Sequence, residues 1–416
     1  MTAPHLGAVA LVHSSDEMYG ADFILLETAQ ALRARGVRVR AFLPHDVPGD
    51  RPLSRALLAI GCDVRTLRLG VLRRRYLTPL GVVRLAANWL SAVRTLSAAF
   101  REDPPDLVVS NTLAVTAASQ AARAAGIPHL WHVHEILLSP RWLGRALARR
   151  ARSHSARVVA VSGAVAAFLR DAAPGIEPVV IHNGIPDPMA SIDRPSSRFS
   201  VDREFGIGPE VPLALFVGRL SRWKGGLVFA RAAARLIRDG TAAHFAMVGG
   251  PVTGDTGYRD AIQSLASDVA LQGRLHLVDF SPRVARYLAR ATVFVLPSIE
   301  PDPFPTVVLE AMRAGLPIVT FAHGGVLEMI RPAMAGVEAP PGDAERLAVA
   351  IESVLRDPAG ASLMGRRGME YASREFGVDV FAQRIVAAFS AAAGRPAPPA
   401  LVADQPAARP EAPELA

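Results

Sequence analysis

Two cations flanked by glycines follow an apolar run in the second half of the chain. The run ends at Gly218, Arg219 comes next, and Lys224 lies five residues further on, directly before Gly225-Gly226. Glycine lets the backbone approach a ligand closely, and an arginine and a lysine together can neutralise a diphosphate. Arginine offers a bidentate fork and lysine a mobile point charge. The stretch therefore predicts an anion-binding loop between a strand and a helix, with a solvated basic loop as the competing interpretation.

Two carboxylates surround the next predicted helix start. Asp302 lies in the loop after an apolar run, and Glu310 lies about one turn inside a helix that begins near Thr306. The first N–H groups of that helix favour a phosphate, because a helix N-terminus carries partial positive charge. A carboxylate at Glu310 can accept hydrogen bonds from both vicinal hydroxyls of a ribose, while Asp302 can meet a sugar. The alternative is that Glu310 caps its own helix and Asp302 only forms a turn.

Three weaker signals lie elsewhere. Gly324-Gly325 open another predicted helix after an apolar run, and Gly20 opens the first helix, where a plain strand-to-helix turn explains it equally well. His132 and His134 are two apart on a predicted strand, so their side chains share a face and could begin a metal site. No third ligand is evident in the sequence. We therefore expect His134 to be a polar binding-site residue and His132 to be packed in the core.

Short apolar runs alternate with helix-patterned stretches such as Phe23–Arg35, which is typical of parallel sheets covered by helices. We predict an α/β protein with two doubly wound Rossmann-like domains that face each other across a cleft, with ligands beyond the carboxyl ends of the strands. The predicted strands are Gly7–His13, Arg38–Leu43, Leu107–Ser110, His129–Val133, Val158–Val161, Pro178–Ile181, Leu213–Val217, Phe245–Val248, Leu275–Asp279, Val293–Leu296 and Ile318–Phe321.

The predicted organisation has five parts. An N-terminal Rossmann-like domain covers residues 1–190, a proline- and serine-rich linker covers 191–199, and a C-terminal Rossmann-like domain, which carries the glycine-cation loop, covers 200–375. We expect a helix at 376–392 that packs back toward the N-terminal domain. The remaining stretch, 393–416, is rich in proline and alanine and is predicted to be a disordered tail.

The bulk composition limits the class of protein. A chain of 416 residues suits two domains, and a lone cysteine, Cys62, excludes an internal disulfide and a cysteine-built metal site. No uninterrupted run of ~18 apolar residues occurs, and the apolar run Leu6–Val12 is only strand length, so neither a membrane span nor a secretory signal is expected. The expected location is the cytoplasm.

Arginine dominates the charge of the chain, which is +8 with a pI near 10.5. There is no zinc spacing and no aromatic-rich strand for stacking bases, so no nucleic-acid partner is expected. The stretch Arg141–Arg152 resembles a basic amphipathic helix, and Arg73–Leu77 and Leu80–Phe100 add arginines beside apolar residues. These stretches predict peripheral contact with an anionic membrane, at its inner face, against the equal alternative of ordinary solvated helices.

Taken in order, these stretches resemble the retaining glycosyltransferases of the GT4 type, also called group 1, whose fold is GT-B. The resemblance runs through most of the chain and is densest from Val179 to Asp343. The matching segments are Asn183-Gly184, Gly218-Arg219-Leu220, Lys224-Gly225, Asp302–Glu310, Ala311-Met312, Gly315-Leu316-Pro317, Gly324-Gly325, Glu328, Gly336 and Pro341-Gly342-Asp343.

The resemblance implies a role for each matched residue. Arg219 and Lys224 would hold the donor diphosphate and stabilise the leaving nucleotide as its charge develops. Glu310 would bind the ribose and Asp302 the donor sugar, while His134 would lie near the sugar and the acceptor. The implied donor-binding positions also include Gly218, Phe304, Thr306, Gly324, Gly325 and Gly20.

The implied reaction moves a hexose-type sugar from a UDP- or GDP-sugar to a saccharide or lipid-linked acceptor, with no bound metal and no cofactor. The alternatives are a UDP-sugar 2-epimerase on the same fold and a non-catalytic nucleotide-sugar binding protein. A nicotinamide oxidoreductase is disfavoured because no G-x-G-x-x-G follows the first strand.

The chain departs from the family pattern near the donor sugar. Asp302 stands where glutamate is usual, with Glu300 close by, and Pro305 stands where a glycine N–H is usual. Only Gly20 remains of an N-terminal glycine pair, and Ala333 replaces a common glycine.

Overall fold

The protein divides into two compact units in a computed structural model that describes residues 5–47, 49–73, 76, 78–190, 192–250, 256–271 and 273–396. The first unit runs through Gly184 and resumes at Val378, and the second spans Ile185–Gly377.

The first unit contains a parallel sheet in the order β3-β2-β1-β4-β5-β6-β7. Its strands are β1 (Ala8–Val12), β2 (Arg38–Pro44), β3 (Asp63–Leu67), β4 (Leu107–Ser110), β5 (His129–Val133), β6 (Arg157–Ala160) and β7 (Val179–Val180). Its helices are α1 (Gly20–Arg33), α2 (Pro52–Ala59), α3 (Pro79–Glu102), α4 (Ala117–Ala125), α5 (Arg141–Ser153), α6 (Gly163–Ala172) and α15 (Val378–Ala392).

The second unit contains a parallel sheet in the order β10-β9-β8-β11-β12-β13. Its strands are β8 (Leu213–Val217), β9 (His244–Val248), β10 (Leu275–Val278), β11 (Val293–Leu296), β12 (Ile318–Phe321) and β13 (Gly336–Ala339). Its helices are α7 (Arg194–Phe205), α8 (Gly226–Arg238), α9 (Thr256–Ala266), α10 (Val284–Arg290), α11 (Thr306–Arg313), α12 (Val326–Ile330), α13 (Ala344–Arg356) and α14 (Pro358–Glu375).

Central strands form where the sequence is continuously apolar. Every residue of β8, β11 and β12 is buried, because helices cover both faces of a parallel sheet. The predicted α/β class with two doubly wound units is confirmed, and five predicted strands, β4, β5, β8, β11 and β12, have the predicted bounds.

Two strands were missed, and both lie at sheet edges. β3 contains Asp63 and Arg65 and has no fully buried residue, and β13 contains Gly336 and Glu338. An edge strand has one unpaired side and tolerates such residues, so its apolar pattern is too weak to recognise.

The linker prediction was wrong from Arg194 onward, where α7 begins. Pro195 lies in the first turn, where its missing N–H costs nothing, and Gly206 ends the helix in a left-handed conformation. Helix α7 packs on α10, and the fully buried Arg290 pairs with Asp202. The proline-rich segment is therefore part of the second unit and not a free connection.

The C-terminal helix belongs to the first unit. Helix α15 packs on α1 and β5, and beyond it Arg395 donates to the carboxylate of Asp106 at 3.1 Å. Residues 397–416 of the predicted tail lie outside the described residues.

Candidate functional site

The glycine-cation loop begins where β8 ends. The N–H of Gly218 donates to the carbonyl of Val248 at 3.0 Å, and a Cβ added at Gly249 would lie 2.0 Å from the Gly218 carbonyl oxygen. The ends of β8 and β9 therefore meet through two glycines, which leaves Arg219 exposed directly after the close approach. Gly249 was missed by the sequence analysis, although it too directly follows a predicted apolar strand.

Lys224 and Asp302, 78 residues apart in sequence, form an ion pair. The Lys224 ammonium lies 2.5 Å from the Asp302 carboxylate, and their side chains are 14% and 7% exposed. The same ammonium lies 4.2 Å from the centre of the Trp223 ring. Gly225 follows at φ +75°, where a Cβ would lie 1.8 Å from the Pro297 carbonyl oxygen. This contact fixes the lysine loop against the segment that follows β11.

The backbone of Asp302 is held by the loop that follows β12. The N–H of Gly325 donates to the Asp302 carbonyl at 2.8 Å, and Gly324 at φ +77° would place a Cβ 2.7 Å from the same oxygen. Asp302 is thus held by Lys224 at its side chain and by the glycine pair at its backbone. Glu300, the neighbouring carboxylate, is exposed, so the buried position of the pair belongs to Asp302.

Helix α11 positions Glu310. The helix starts at Thr306 after Pro305, so the N–H of Thr306 is the first that the helix offers. Glu310 is half-buried, and its carboxyl group has no hydrogen bond or ion pair within the part of the chain that the structure describes. Burial raises the pKa of Glu310 to about 7. Phe304 is 4% exposed and packs edge-on against Phe376 with ring centres 5.4 Å apart.

A second polar cluster lies in the first unit, at the carboxyl ends of three adjacent strands. His134 after β5 lies 3.2 Å from the Asn111 amide, Nε2 to Oδ1. Asn111 follows β4, and its Nδ2 lies 3.3 Å from Nδ1 of His13. His13 follows β1, and its Nε2 lies 2.9 Å from the Asp22 carboxylate. Of the four residues in this polar chain, His134, Asn111, His13 and Asp22, only His134 was predicted from the sequence. A polar residue directly after each of three neighbouring strands is the signal that identifies His13 and Asn111.

The residues at both ends of this polar chain have further neighbours. Asp22 accepts from the Tyr19 N–H at 3.0 Å in the first turn of α1, next to the exposed Gly20. Burial and the neighbouring His132 and His13 hold the pKa of His134 well below its usual range. Glu135 accepts from Thr112 and from the N–H of His134, and its pKa is raised because burial outweighs these bonds.

His132 is fully buried, and neither of its ring nitrogens has a partner among the described residues. Burial lowers its pKa to about 3. Its ring centre lies 4.2 Å from that of His134. Within the described residues no three His, Cys, Asp or Glu side chains are grouped so that they could hold a metal ion.

The structure thus places the predicted site residues in several separate groups. In the second unit Lys224, Asp302, Gly324 and Gly325 form one cluster. Gly218 and Arg219 follow β8, and Phe304, Thr306 and Glu310 lie at or in α11. In the first unit His134 ends the polar chain, and Gly20 opens the helix that carries Asp22.

Comparison with known families assigns both units. The family described as "Glycosyl transferases group 1" matches residues 197–374, and the "Glycosyl transferase 4-like domain" matches residues 20–184.

Named relatives match at moderate identity. The chain is 28% identical over 287 residues to D-inositol 3-phosphate glycosyltransferase 1 of Catenulispora acidiphila, covering 65% of this chain and 68% of that protein. It is 26% identical to the 2-deoxystreptamine glucosyltransferase of Streptomyces kanamyceticus, over 85% of this chain and 94% of that one. Alpha-maltose-1-phosphate synthase of Mycobacterium tuberculosis is 30% identical, and the match spans 53% of this chain and 59% of that one.

Solved structures share the fold. Anabaena HepE, solved with UDP and glucose, superposes with a TM-score of 0.77 at 22% identity and covers 93% of this chain and 100% of its own. WaaG, a glycosyltransferase of lipopolysaccharide biosynthesis, has a TM-score of 0.68 at 19% identity, covering 92% and 99%. With both units matched in order and the GT-B fold in place, the chain belongs to the group 1 glycosyltransferases.

Proposed function

We propose that the chain transfers a hexose-type sugar from a nucleoside diphosphate sugar, with retention of anomeric configuration, to a hydroxylated acceptor. The observation that carries this proposal is the Lys224–Asp302 pair, whose lysine lies in the loop that begins at Gly218-Arg219. A lysine ammonium has three donors, so Lys224 can keep Asp302 and still donate to a phosphate oxygen. Arg219 and Lys224 then stabilise the charge that develops on the leaving nucleotide, without a bound metal.

Glu310 supplies the ribose contact in this proposal. A half-buried carboxyl group with raised pKa and no partner among the described residues gains two hydrogen bonds when vicinal hydroxyls reach it. Glu310 therefore distinguishes a nucleoside from a bare diphosphate, while Asp302 can accept from a hydroxyl of the donor sugar.

The names of relatives guide the choice of ligands. HepE was solved with UDP-glucose, so UDP is the first donor nucleotide to test. Two relatives are named for cyclitol acceptors, an inositol phosphate and 2-deoxystreptamine. A cyclitol is accordingly the first acceptor class to test, ahead of a lipid-linked saccharide.

Thermal unfolding with UDP, GDP, ADP and dTDP, each with and without magnesium, tests donor binding. A nucleotide at 100 times its dissociation constant adds ~2.7 kcal/mol to the folded state. We expect one nucleotide to stabilise the protein equally with magnesium and with a chelator, and Arg219→Ala to abolish the shift. Arg222→Ala, an exposed arginine of the same loop, is the matched control and should retain it. If none of the four shifts the transition, donor binding is contradicted.

Turnover tests the reaction itself. Nucleotide release that requires an acceptor, with an α-linked product from an α-linked donor, supports a retaining transferase. Release of an epimerised sugar without acceptor would identify an epimerase, and tight donor binding with no release would identify a binding protein.

We also propose that the first unit docks on an anionic membrane surface. The start of α3 exposes Leu80 and Val83 at 61% and 65%, and Trp142 of α5 is 65% exposed beside the exposed arginines Arg141 and Arg145. Apolar side chains flanked by arginines suit the headgroup region of a bilayer. Of the predicted basic stretch at 73–77, residues 74, 75 and 77 lie outside the described residues. No helix among the described residues is long and apolar enough to span a bilayer.

Co-sedimentation with phosphatidylcholine vesicles, with and without phosphatidylglycerol, tests this docking. We expect binding only to the anionic vesicles and at low salt, because surface charge attraction is screened. Val83→Ser should weaken it, whereas Val349→Ser, an exposed valine of α13, should not. Equal binding by both variants would contradict the assignment of α3.

A further inference from the structure

The polar chain of the first unit has a fixed direction. Nδ2 of Asn111 lies 3.4 Å from the carbonyl oxygen of Ala21, which can only accept. The amide nitrogen must therefore face Ala21 and, with its second hydrogen, Nδ1 of His13 at 3.3 Å. The oxygen Oδ1 is left to face His134. Geometry alone thus determines which way the Asn111 amide points.

The orientation of Asn111 determines the protonation of both histidines. Nδ1 of His13 accepts from the amide, so the proton of neutral His13 is on Nε2 and points to the Asp22 carboxylate at 2.9 Å. At the other end, Oδ1 of Asn111 accepts at 3.2 Å, so Nε2 of His134 must carry a proton. Because burial holds the pKa of His134 well below its usual range, its other nitrogen, Nδ1, is an unprotonated acceptor near neutral pH.

Asp22 lies at the end of the polar chain opposite His134. Its two oxygens accept from the Tyr19 N–H at 3.0 Å and from His13. Burial alone would raise the pKa of Asp22, but the hydrogen bonds from His13 and from the Tyr19 N–H oppose burial, and the pKa is lowered. The carboxylate is thus an obligatory double acceptor.

We propose that Asp22, His13 and Asn111 are positioning residues that hold His134 in its Nε2–H tautomer, so that Nδ1 of His134 accepts a hydrogen bond from a sugar hydroxyl. The three residues touch no substrate themselves and act through His134. The assignment of the hydroxyl to a sugar rests on the proposed function, whereas the tautomer does not.

Asp22→Asn should reverse or break the chain. The new amide must still accept from the Tyr19 N–H, which turns its NH2 group toward Nε2 of His13. His13 would then need its proton on Nδ1, where it meets the NH2 group of Asn111. Asn111→Leu, which is close in volume, removes both contacts at once. In both variants His134 loses its fixed acceptor and populates the Nδ1–H tautomer.

Long-range nitrogen–proton NMR on the full-length protein with labelled histidine tests this directly. His134→Gln identifies the His134 signals among the eleven histidines. In the wild type we expect a protonated Nε2 and an unprotonated Nδ1, and in Asp22→Asn and Asn111→Leu a mixture. Asp16→Asn is the matched control, because Asp16 is equally buried but accepts from Ser54 and does not touch the chain.

A wild-type His134 with its proton on Nδ1, or variants that leave its tautomer unchanged, would overturn the proposal. The wild-type spectrum decides even if a variant does not fold. With donor and acceptor, Asp22→Asn should lower kcat/KM about tenfold, the worth of one hydrogen bond, while the affinity for the nucleotide alone stays unchanged. If the tautomers behave as expected but the wild type transfers no sugar, the proposed function fails and the positioning of His134 stands.

Discussion

The polar groups at the strand ends are organised differently in the two units. In the first unit, uncharged donors and acceptors satisfy one another from His134 back to the Asp22 carboxylate. In the second, Lys224 and Asp302 form a largely buried ion pair, and Glu310 has no partner among the described side chains. The satisfied polar chain orients one imidazole. The second unit instead holds an ion pair and, in α11, a carboxyl group without a partner among the described residues, which leaves capacity for a charged ligand. In the proposed function, the second unit therefore binds the nucleotide, and the first offers Nδ1 of His134 as an uncharged hydrogen-bond acceptor.

Removing the ammonium of Lys224 should have the largest effect. Lys224→Ala deletes a cation that faces developing charge and leaves Asp302 unpaired, so kcat should fall by about 10²–10³. Steady-state kinetics on Lys224→Ala, Asp302→Ala and the double variant measure the coupling. If kcat falls no further in the double variant than in Lys224→Ala alone, the two residues act as a unit. Fully additive losses of kcat would contradict the pairing.

Gly324→Ala should have the next largest effect. The backbone is at φ +77°, and the new Cβ would lie 2.7 Å from the Asp302 carbonyl oxygen, so Asp302 must move. Gly342→Ala is the control: its φ is +79°, but a Cβ there meets nothing within 4 Å. Both variants carry the strain of a left-handed residue, about 1–3 kcal/mol. Gly324→Ala alone should also lower donor affinity, measured by calorimetry, and equal affinities in the two variants would contradict the role of this contact.

The ionisation of Glu310 should make donor binding depend on pH. The pKa of this group is about 7 in the free protein, and only the carboxylate accepts from both ribose hydroxyls. Affinity for UDP-glucose, whose diphosphate keeps its charge, should fall about tenfold from pH 8 to pH 6. Glu310→Gln should bind more weakly and without this dependence. An unchanged pH profile in Glu310→Gln would assign the dependence to another group.

The ionisation of Glu310 also affects the stability of the folded protein, and its pH dependence is opposite to that of donor binding. Donor binding is favoured at high pH, whereas stability is favoured at low pH. A folded-state pKa raised from 4.5 to about 7 means that the folded protein binds the proton more tightly than the unfolded chain. Its contribution to the free energy of unfolding is therefore full below pH 4.5 and is lost as the pH rises through 7. Denaturant titrations of Glu310→Gln against wild type over this range should show the difference.

The difference between the two units also explains how much of each candidate site could be predicted from the sequence. In the second unit the glycines and charged residues that build the site are close together in sequence or follow apolar strands, so Gly218, Lys224, Asp302 and Gly324 were found. Their pairing was not, because Lys224 and Asp302 are brought together only by the order of β8 and β11 in the sheet.

In the first unit, most of the site was missed. His13, Asn111 and Asp22 are single polar residues without a motif, and they become a chain only because β1, β4 and β5 are neighbours. That strand order is set by tertiary packing and not by local pattern. The apolar central strands were predicted with accurate bounds because a continuous apolar run is a local pattern, and β3 and β13 were missed because they lack it.

The smallest effect is expected at His132, which lies beside the polar chain but is not part of it. Both its nitrogens are buried without partners among the described residues, so the ring adds little to stability at neutral pH. Its pKa of about 3 lies below the ordinary 6.5, so the stability present above pH 6.5 is lost progressively as the pH falls toward 3. His132→Leu should therefore change stability by no more than about 1 kcal/mol at pH 7.5 and reduce the acid sensitivity of unfolding.

His134→Leu would instead leave Oδ1 of Asn111 without its donor and should destabilise the protein at neutral pH. Equal losses at pH 7.5 in the two variants would mean that the chain does not distinguish these neighbouring histidines.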